Sequence, residues 1–272
     1  MKFIIWTWGW SKHIGGVRVL HNLCHYLNEI GQEAYITTKK KNPNLNTPYH
    51  DPDSSFDKDN TVVIYPECID KNLLDAKYVV RWILYHQDTS ANYGKDDYLF
   101  KYLESYITRD NKCDGILTIH DFNLDFWQDQ NKDRHYNIVA LRKGASKYNP
   151  FFHEGLRNIL VYDEIEKEED ETIIKNLMNK SEKFICFDSC SFIAVQAALC
   201  GCLTIIVPDH GLSKEEWIDN HKFLKYGIAY GYEDIQHAIE TKDLIRPYLK
   251  ELEENALKTV HDFVRFWKEK LT

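Results

Sequence analysis

Apolar runs and helical stripes alternate along the chain, which predicts an α/β protein with parallel strands. Residues 2–6 form a short apolar run, residues 17–30 carry apolar side chains at helical spacing, and residues 33–37 form a second apolar run. Strand, helix and strand in this order make a βαβ unit, whose two strands are parallel. The turn-rich stretch TWGWSKHIGG joins the first strand to the helix.

The same pattern continues and then starts again after a polar segment at residues 128–134. Further apolar runs predict strands at 61–65, 78–85 and 115–119, with a short helix between the first two, and at 138–141, 158–162, 183–187 and 203–207. The polar segment reads as a linker between domains 1–134 and 135–272. Residues 234–270 read as helix, and the last helix of the chain can cross back to the N-terminal domain.

Polar residues follow several of these predicted strands. Glu67 and Asp70 follow the strand at 61–65, residues 86–88 (HQD) follow the next strand, and residues 120–121 (HD) follow the third. In an open parallel sheet, ligands bind in the crevice outside the carboxyl ends of the strands. We therefore expect a ligand site at this edge.

A basic turn follows the strand at 138–141. Arg142, Lys143 and Lys147 lie in the sequence RKGASK. Arginine grips a phosphate with a planar fork and lysine binds it as a point charge, so together they can neutralise a diphosphate without a metal ion. The alternative is a solvated basic turn.

Residues 184–211, FICFDSCSFIAVQAALCGCLTIIVPDHG, read as strand, polar turn, helix, glycine break and strand. Asp188, Ser189 and Ser191 fall between the strand and the start of the helix. Free amide groups and the helix dipole favour a phosphate there, and these side chains can also bind sugar hydroxyls. The same residue types can instead simply cap the helix.

This segment resembles the donor half of GT-B glycosyltransferases, in which a helix with the pattern E-A-hydrophobic-x-x-G-x-P precedes a strand. The chain reads QAALCGCLTIIVP. The resemblance implies two Rossmann-like domains facing across a cleft, with the nucleotide-sugar donor, by default a UDP-sugar, bound by domain 135–272. In many retaining members two glutamates separated by seven residues contact the donor sugar and the ribose, and here Asp188 and Gln196 occupy those positions.

The sequence HIGGVRVL at 13–20 resembles the opening loop of the GT-B acceptor domain, where Gly15 and Gly16 let the backbone approach the cleft. In many inverting members a histidine in this loop acts as the general base, which points to His13. Glu67 and Asp70 offer carboxylates for the same task. We expect one of these three residues to deprotonate the acceptor.

Together these features predict a metal-independent, inverting glycosyltransferase. The compact chain, with its segments YPE, RWIL, RKG and AALCGC, resembles the small glycosyltransferases of bacterial surface-polysaccharide clusters and large algal viruses. Its partners are a nucleotide-sugar donor and a glycan acceptor, and no cofactor is expected. Two alternatives stay open. One is a retaining transferase that uses Asp188. The other is an inactive glycan- or partner-binding module, for which Trp6, Trp8 and Trp10 could stack on sugars. An oxidoreductase is disfavoured because no G-x-G-x-x-G follows a strand.

Composition narrows the setting. A net charge of −8 argues against a nucleic-acid-binding protein. Seven cysteines without a C-x-x-C pair favour reduced thiols and a cytoplasmic location. No signal peptide is recognisable, and no apolar stretch of about 18 residues predicts a transmembrane segment. Asp51 and Asp53 lie in a polar coil and not at a strand end, so we expect no metal site there.

Overall fold

The computed structural model describes residues 1–85, 91–149, 154–167 and 170–271, and it divides into two compact units. The first unit comprises residues 1–121 and 253–272, and the second comprises residues 122–252. Each contains a parallel β-sheet with helices, which confirms the predicted α/β class with two Rossmann-like units. The polar residues 86–88 of the sequence analysis lie outside the described residues.

The first unit contains a parallel sheet of six described strands in the order β2-β1-β3-β4-β5-β6. Its elements are β1 (Lys2–Ile5), α1 (Gly15–Glu29), β2 (Glu33–Ile36), β3 (Thr61–Pro66), β4 (Tyr78–Ile83), β5 (Tyr98–Lys101) and β6 (Gly115–Ile116). Every residue of β3 is buried, as in a strand covered on both faces. This burial explains why its sequence is one continuous apolar run.

Two helices supply apolar side chains to the core of this unit. From α1, Leu20, Leu23 and Leu27 are completely buried. The C-terminal helix α7 (Ile245–Leu271) contributes Trp267, which is also completely buried and lies edge-on to Tyr98 with ring centroids 4.8 Å apart. The residues of α7 from 253 onward thus belong to the N-terminal unit, where the sequence analysis allowed the last helix to return.

The second unit contains a parallel sheet of five described strands in the order β11-β10-β9-β7-β8. Its elements are β7 (Tyr136–Ala140), β8 (Ile159–Val161), α2 (Tyr162–Ile165), α3 (Glu171–Asn179), β9 (Ser181–Cys186), α4 (Phe192–Leu199), β10 (Leu203–Ile206), α5 (Lys214–Asn220), β11 (Ile228–Tyr230), α6 (Ile235–Thr241) and the first residues of α7. The apolar run between Gly201 and Pro208 forms β10, in which Thr204, Ile205 and Ile206 are buried.

The structure differs from the sequence-based prediction at two strands and one helix. The short strands β5 and β11 are not predicted from the sequence; β11 lies between Gly227 and Gly231, so no longer apolar run marks it. The short helix expected between β3 and β4 is absent from this described stretch. There the Asn72 side chain bonds to both the amide and the carbonyl of Ala76, and Asp75 has a φ of 51°, so the chain folds into turns.

The polar segment at 128–134 is not a free linker. Arg134 donates hydrogen bonds to the carbonyl of Ser181 at 2.7 Å, to that of Cys200 at 2.9 Å, and to the carboxylate of Asp129 at 2.9 Å. These bonds tie the segment to the second sheet, and the contacts divide the chain after residue 121 rather than after 134. A segment of this composition is typical of a linker, but here the Arg134 side chain donates hydrogen bonds to backbone carbonyls at the ends of a strand and a helix.

None of the helices in the described part of the chain has the length and apolar character needed to cross a membrane.

Arg134→Gln should lower the free energy of unfolding by about 1–3 kcal/mol, because the carbonyls of Met178, Ser181 and Cys200 lose a charged donor. Urea denaturation followed by circular dichroism measures this loss. The control is Arg157→Gln, since Arg157 is exposed and its replacement should change stability by less than about 0.5 kcal/mol. If the two variants were equally stable, the hydrogen bonds of Arg134 would not stabilise the fold as proposed.

Candidate functional site

The second sheet has a topological switch point between β7 and β9. From β7 the chain moves outward to β8 and then returns to the opposite side of β7 as β9. In open α/β sheets the ligand crevice lies outside the carboxyl ends of the two strands that flank such a point. The basic turn follows β7 and the Asp-Ser turn follows β9, so the sequence-predicted donor residues flank this crevice.

The basic turn lies directly on the end of β9. Residues 142–147 form a 3-10 helix, and Gly144 within it is buried. A Cβ atom added to Gly144 would lie 1.8 Å from the carbonyl oxygen of Phe187 and 2.8 Å from the amide nitrogen of Asp188. Only glycine permits this approach. The turn therefore carries Arg142, Lys143 and Lys147 to the same strand end as Asp188.

The backbone of Arg142 is held in an uncommon conformation. Its φ is 48°, in the left-handed region that non-glycine residues rarely adopt. The two carboxylate oxygens of Asp163, in the first turn of α2, accept hydrogen bonds from the amides of Leu141 and Arg142, each at 2.9 Å. This bidentate contact stabilises the turn and offsets its strain.

Two of the basic side chains form ion pairs within the second unit. Arg142 pairs with Glu166, and Lys147 pairs with Asp209, which follows β10. Burial alone would lower the pKa of Arg142, but the Glu166 carboxylate outweighs burial and raises this pKa. Burial alone would raise the pKa of Asp209, but hydrogen bonds from Lys147 and Ser189 hold it below the usual value. Arg142 and Asp209 are therefore charged at neutral pH.

The Asp-Ser turn combines a buried carboxylate with the start of a helix. Asp188 is 9% exposed, and one of its oxygens accepts a hydrogen bond from the amide of Cys190 at 3.2 Å. Ser191 occupies the N-cap position of α4, but its hydroxyl makes no capping hydrogen bond. The simple capping interpretation therefore does not describe Ser191. Amide groups of the first turn of α4 remain able to bind an anion.

Gln196 does not lie at the start of α4. It is half-buried in the second turn of the helix, whereas Asp188, Ser189 and Ser191 precede the helix. The geometry thus brings together six of the seven donor-side residues predicted from sequence and leaves Gln196 one turn further along.

Sequence reasoning missed the residues that support this edge. Trp217 is completely buried, donates from Nε1 to the carbonyl of Ser189 at 2.8 Å, and stacks on Tyr230 at 4.7 Å. The Tyr230 hydroxyl accepts a hydrogen bond from the amide of Asp209 at 3.0 Å. Asp209 could have been found because it follows a predicted strand in VPDHG. Asp163, Glu166, Trp217 and Tyr230 carry no local signal.

His221 lies against the same side of the unit. Its Nδ1 is 3.0 Å from the carbonyl of Trp217, which fixes a proton on Nδ1 because a carbonyl only accepts. Burial lowers the pKa of His221 below its usual value. The imidazole is therefore neutral at physiological pH.

The first sheet has its own switch point, between β1 and β3. Glu67 follows β3 and is half-buried, and its Oε2 accepts a hydrogen bond from the amide of Leu84 at 3.0 Å. Burial raises the pKa of Glu67. His13, in the loop after β1, and Asp70, three residues beyond Glu67, are exposed. Among the three base candidates, Glu67 has the environment that tunes a carboxylate toward neutral pH.

The loop after β1 also presents an aromatic side chain to solvent. Trp8 is 45% exposed, whereas Trp6 and Trp10 are half-buried. Gly15 and Gly16 begin α1, and a Cβ atom on Gly15 would meet no atom of the described residues within 4 Å. No contact among the described residues therefore requires glycine at position 15.

The described residues contain no group of three or more histidine, cysteine, aspartate or glutamate side chains arranged to hold a metal ion. Asp51 and Asp53 lie in an exposed turn, where the Asp51 carboxylate accepts a hydrogen bond from the amide of Asp53 at 3.1 Å. None of the seven cysteines, all within the described residues, forms a disulfide bond, and Cys200 and Cys202 are buried as small apolar residues.

Comparison with known proteins gives a limited likeness. No protein-family model matches the chain, and no curated protein matches its sequence. Three solved structures are similar over most of the chain. The spinosyn rhamnosyltransferase SpnG is 11% identical, with 96% of this chain and 95% of that one covered and a TM-score of 0.41. An alpha-glucosyltransferase in complex with UDP and a 13-mer DNA containing a central A:G mismatch is 9% identical, with 97% and 95% covered and a TM-score of 0.46. MurG of Acinetobacter baumannii is 11% identical, with 97% and 99% covered and a TM-score of 0.40. Sequence identities and TM-scores this low place the chain in no family, so its function must be argued from the site.

Gly144→Ala should lower the free energy of unfolding by about 1–3 kcal/mol, because the new methyl group overlaps the backbone of β9. If the basic turn binds a diphosphate, as expected from the sequence, this variant should also bind pyrophosphate more weakly, since the basic turn has to move away from Asp188. Gly15→Ala is the matched control, because its methyl group enters open space at the start of a helix. Calorimetry and thermal unfolding measure both effects. Equal behaviour of the two variants would contradict the close contact.

Proposed function

We propose that the protein is a glycosyltransferase that takes its sugar from a nucleotide-diphosphate donor. The observation that carries the proposal is the switch point of the second sheet, where a turn with three basic residues packs against a strand end that bears a buried aspartate, two serines and a helix start. Basic groups fit a diphosphate, and the aspartate and serines fit hydroxyl groups of a sugar or ribose.

In this proposal the second unit binds the donor without a metal ion. Arg142, Lys143 and Lys147 neutralise the diphosphate and its developing charge as it leaves. Asp188, Ser189 and Ser191 bind hydroxyl groups, and Gln196 reaches the ribose from further along α4. The sequence resemblance to GT-B enzymes supports a UDP-sugar as the donor.

The first unit supplies the group that removes the acceptor proton. Glu67 takes the proton from an acceptor hydroxyl, the freed oxygen forms a bond to the anomeric carbon, and the bond from that carbon to the diphosphate oxygen breaks. The nucleoside diphosphate leaves with the electron pair, and the configuration inverts. The raised pKa of Glu67 supports its assignment over Asp70 and His13.

Two observations favour alternatives that the experiments below must separate. The buried carboxylate of Asp188 could contact the donor sugar directly in a retaining transferase. The exposed Trp8 could stack on a sugar in a binding module without activity.

Thermal unfolding with UDP, GDP, CMP and simple glycosides tests the proposal. A nucleotide-sugar enzyme is stabilised by its own nucleoside diphosphate, because the ligand binds only the folded state. A mass-spectrometric screen for hydrolysed donor sugars then identifies the donor. Stabilisation by glycosides with no response to any nucleotide would replace the transferase by the binding module.

Transfer or donor hydrolysis should persist in excess EDTA, because the three basic residues take the role of a metal ion. The measurement is the rate of nucleoside diphosphate release with EDTA and with added Mn²⁺. Loss of activity in EDTA with recovery in Mn²⁺ would reject metal-independent transfer and return attention to Asp51 and Asp53.

Glu67→Gln should lower kcat by about 10²–10⁴ and leave donor binding nearly intact, since a general base acts only in the chemical step. In the unmodified protein kcat/KM should rise with pH through a pKa above the usual glutamate value, because the base works when deprotonated and burial raises the pKa of Glu67. Asp70→Asn and His13→Ala are matched controls. If Asp70→Asn or His13→Ala loses activity while Glu67→Gln does not, the residue replaced in the inactive variant is the general base. If all three variants remain active, a retaining mechanism through Asp188 explains the activity better.

A further inference from the structure

Two of the three basic side chains of the proposed donor site, those of Arg142 and Lys147, are already paired within the second unit. Arg142, with its side chain 24% exposed, pairs with Glu166, whose side chain is 17% exposed. Lys147 pairs with Asp209. A diphosphate that binds Arg142 therefore meets a guanidinium that a carboxylate already occupies.

Three carboxylates near α2 have three different partners. Asp163 binds the backbone amides of Leu141 and Arg142, so it supports the turn in either state of the guanidinium. Glu166 binds the guanidinium itself. Glu164 is exposed and pairs with Lys167. Asp163 therefore supports the backbone of Arg142, whereas Glu166 neutralises the charge of its side chain.

We propose that Glu166 competes with the diphosphate for Arg142 and returns to it when the nucleoside diphosphate product leaves. This inference rests on the proposed function and assigns Glu166 to product release.

The chemistry of transfer gives this exchange a purpose. Cleavage of the donor leaves a nucleoside diphosphate that carries one more negative charge than it had within the donor, so the product binds a cationic site more tightly than the donor does. A carboxylate that stays within reach of the guanidinium offers an alternative partner and lowers the affinity for the product. The guanidinium remains hydrogen-bonded at every stage, so no buried cation is left unpaired.

Isothermal titration with inorganic pyrophosphate and with UDP tests the exchange. Glu166→Gln should tighten binding of both ligands about fivefold, which corresponds to about 1 kcal/mol for a partly exposed ion pair. Glu164→Gln is the matched control, because it removes the same charge from the same region and should leave binding unchanged. Asp163→Asn should weaken binding, because the turn that carries Arg142 loses its support.

Turnover supplies a second readout. Glu166→Gln should strengthen product inhibition by UDP about fivefold while the single-turnover rate stays the same. Weaker or unchanged pyrophosphate binding in Glu166→Gln would overturn the inference and leave the donor site in place, because Glu166 would then merely orient Arg142. If the unmodified protein binds neither pyrophosphate nor any nucleotide, the proposed function fails together with the inference. Thermal unfolding of each variant establishes that it is folded.

Discussion

A backbone contact between the basic turn and the end of β9 is the constraint on which the candidate donor site depends. Gly144 faces the carbonyl of Phe187 so closely that no side chain fits between them. The contact fixes the height of the turn above the sheet and brings residues that follow two separate strands to one edge. Asp163 adds the second restraint by holding the left-handed backbone of Arg142. With both restraints, the basic residues and the Asp-Ser turn lie at the same strand end.

Charge balance follows from this packing. The basic turn would concentrate positive charge at a half-buried edge, and Glu166 and Asp209 neutralise Arg142 and Lys147 there. Each carboxylate comes from a different element, so the second unit has to be folded before the charges are paired. The pairing gives Arg142 and Lys147 anionic partners inside the second unit. In the proposed exchange a diphosphate replaces Glu166 at Arg142, which favours release over the tightest possible affinity.

The two units present different chemistry at equivalent positions. The switch point of the second sheet is rich in charges, whereas that of the first sheet offers one half-buried carboxylate, Glu67, and an exposed aromatic ring, Trp8. Burial distinguishes Glu67 from Asp70, although only two residues lie between them. The Leu84 amide bonds to the Glu67 carboxylate, and burial raises its pKa, while Asp70 faces solvent. The environment of each carboxylate, rather than its residue type, therefore decides which one suits proton transfer.

The sequence by itself determined the alternation of strands and helices, because a strand buried on both faces needs an uninterrupted apolar run. It also determined which polar residues lie at the strand ends, because parallel strands end at one edge of the sheet. The sequence did not reveal β11, because its three residues lie between Gly227 and Gly231 and no longer apolar run marks it. The segment at 128–134 has the composition of a linker, although its polar groups bind the second sheet. The partners of Arg142 and Lys147 were decided only by the tertiary structure. Glu166 and Asp209 lie 24 and 62 residues away along the chain, and nothing local relates a cation to a carboxylate at such a separation until the fold places them side by side.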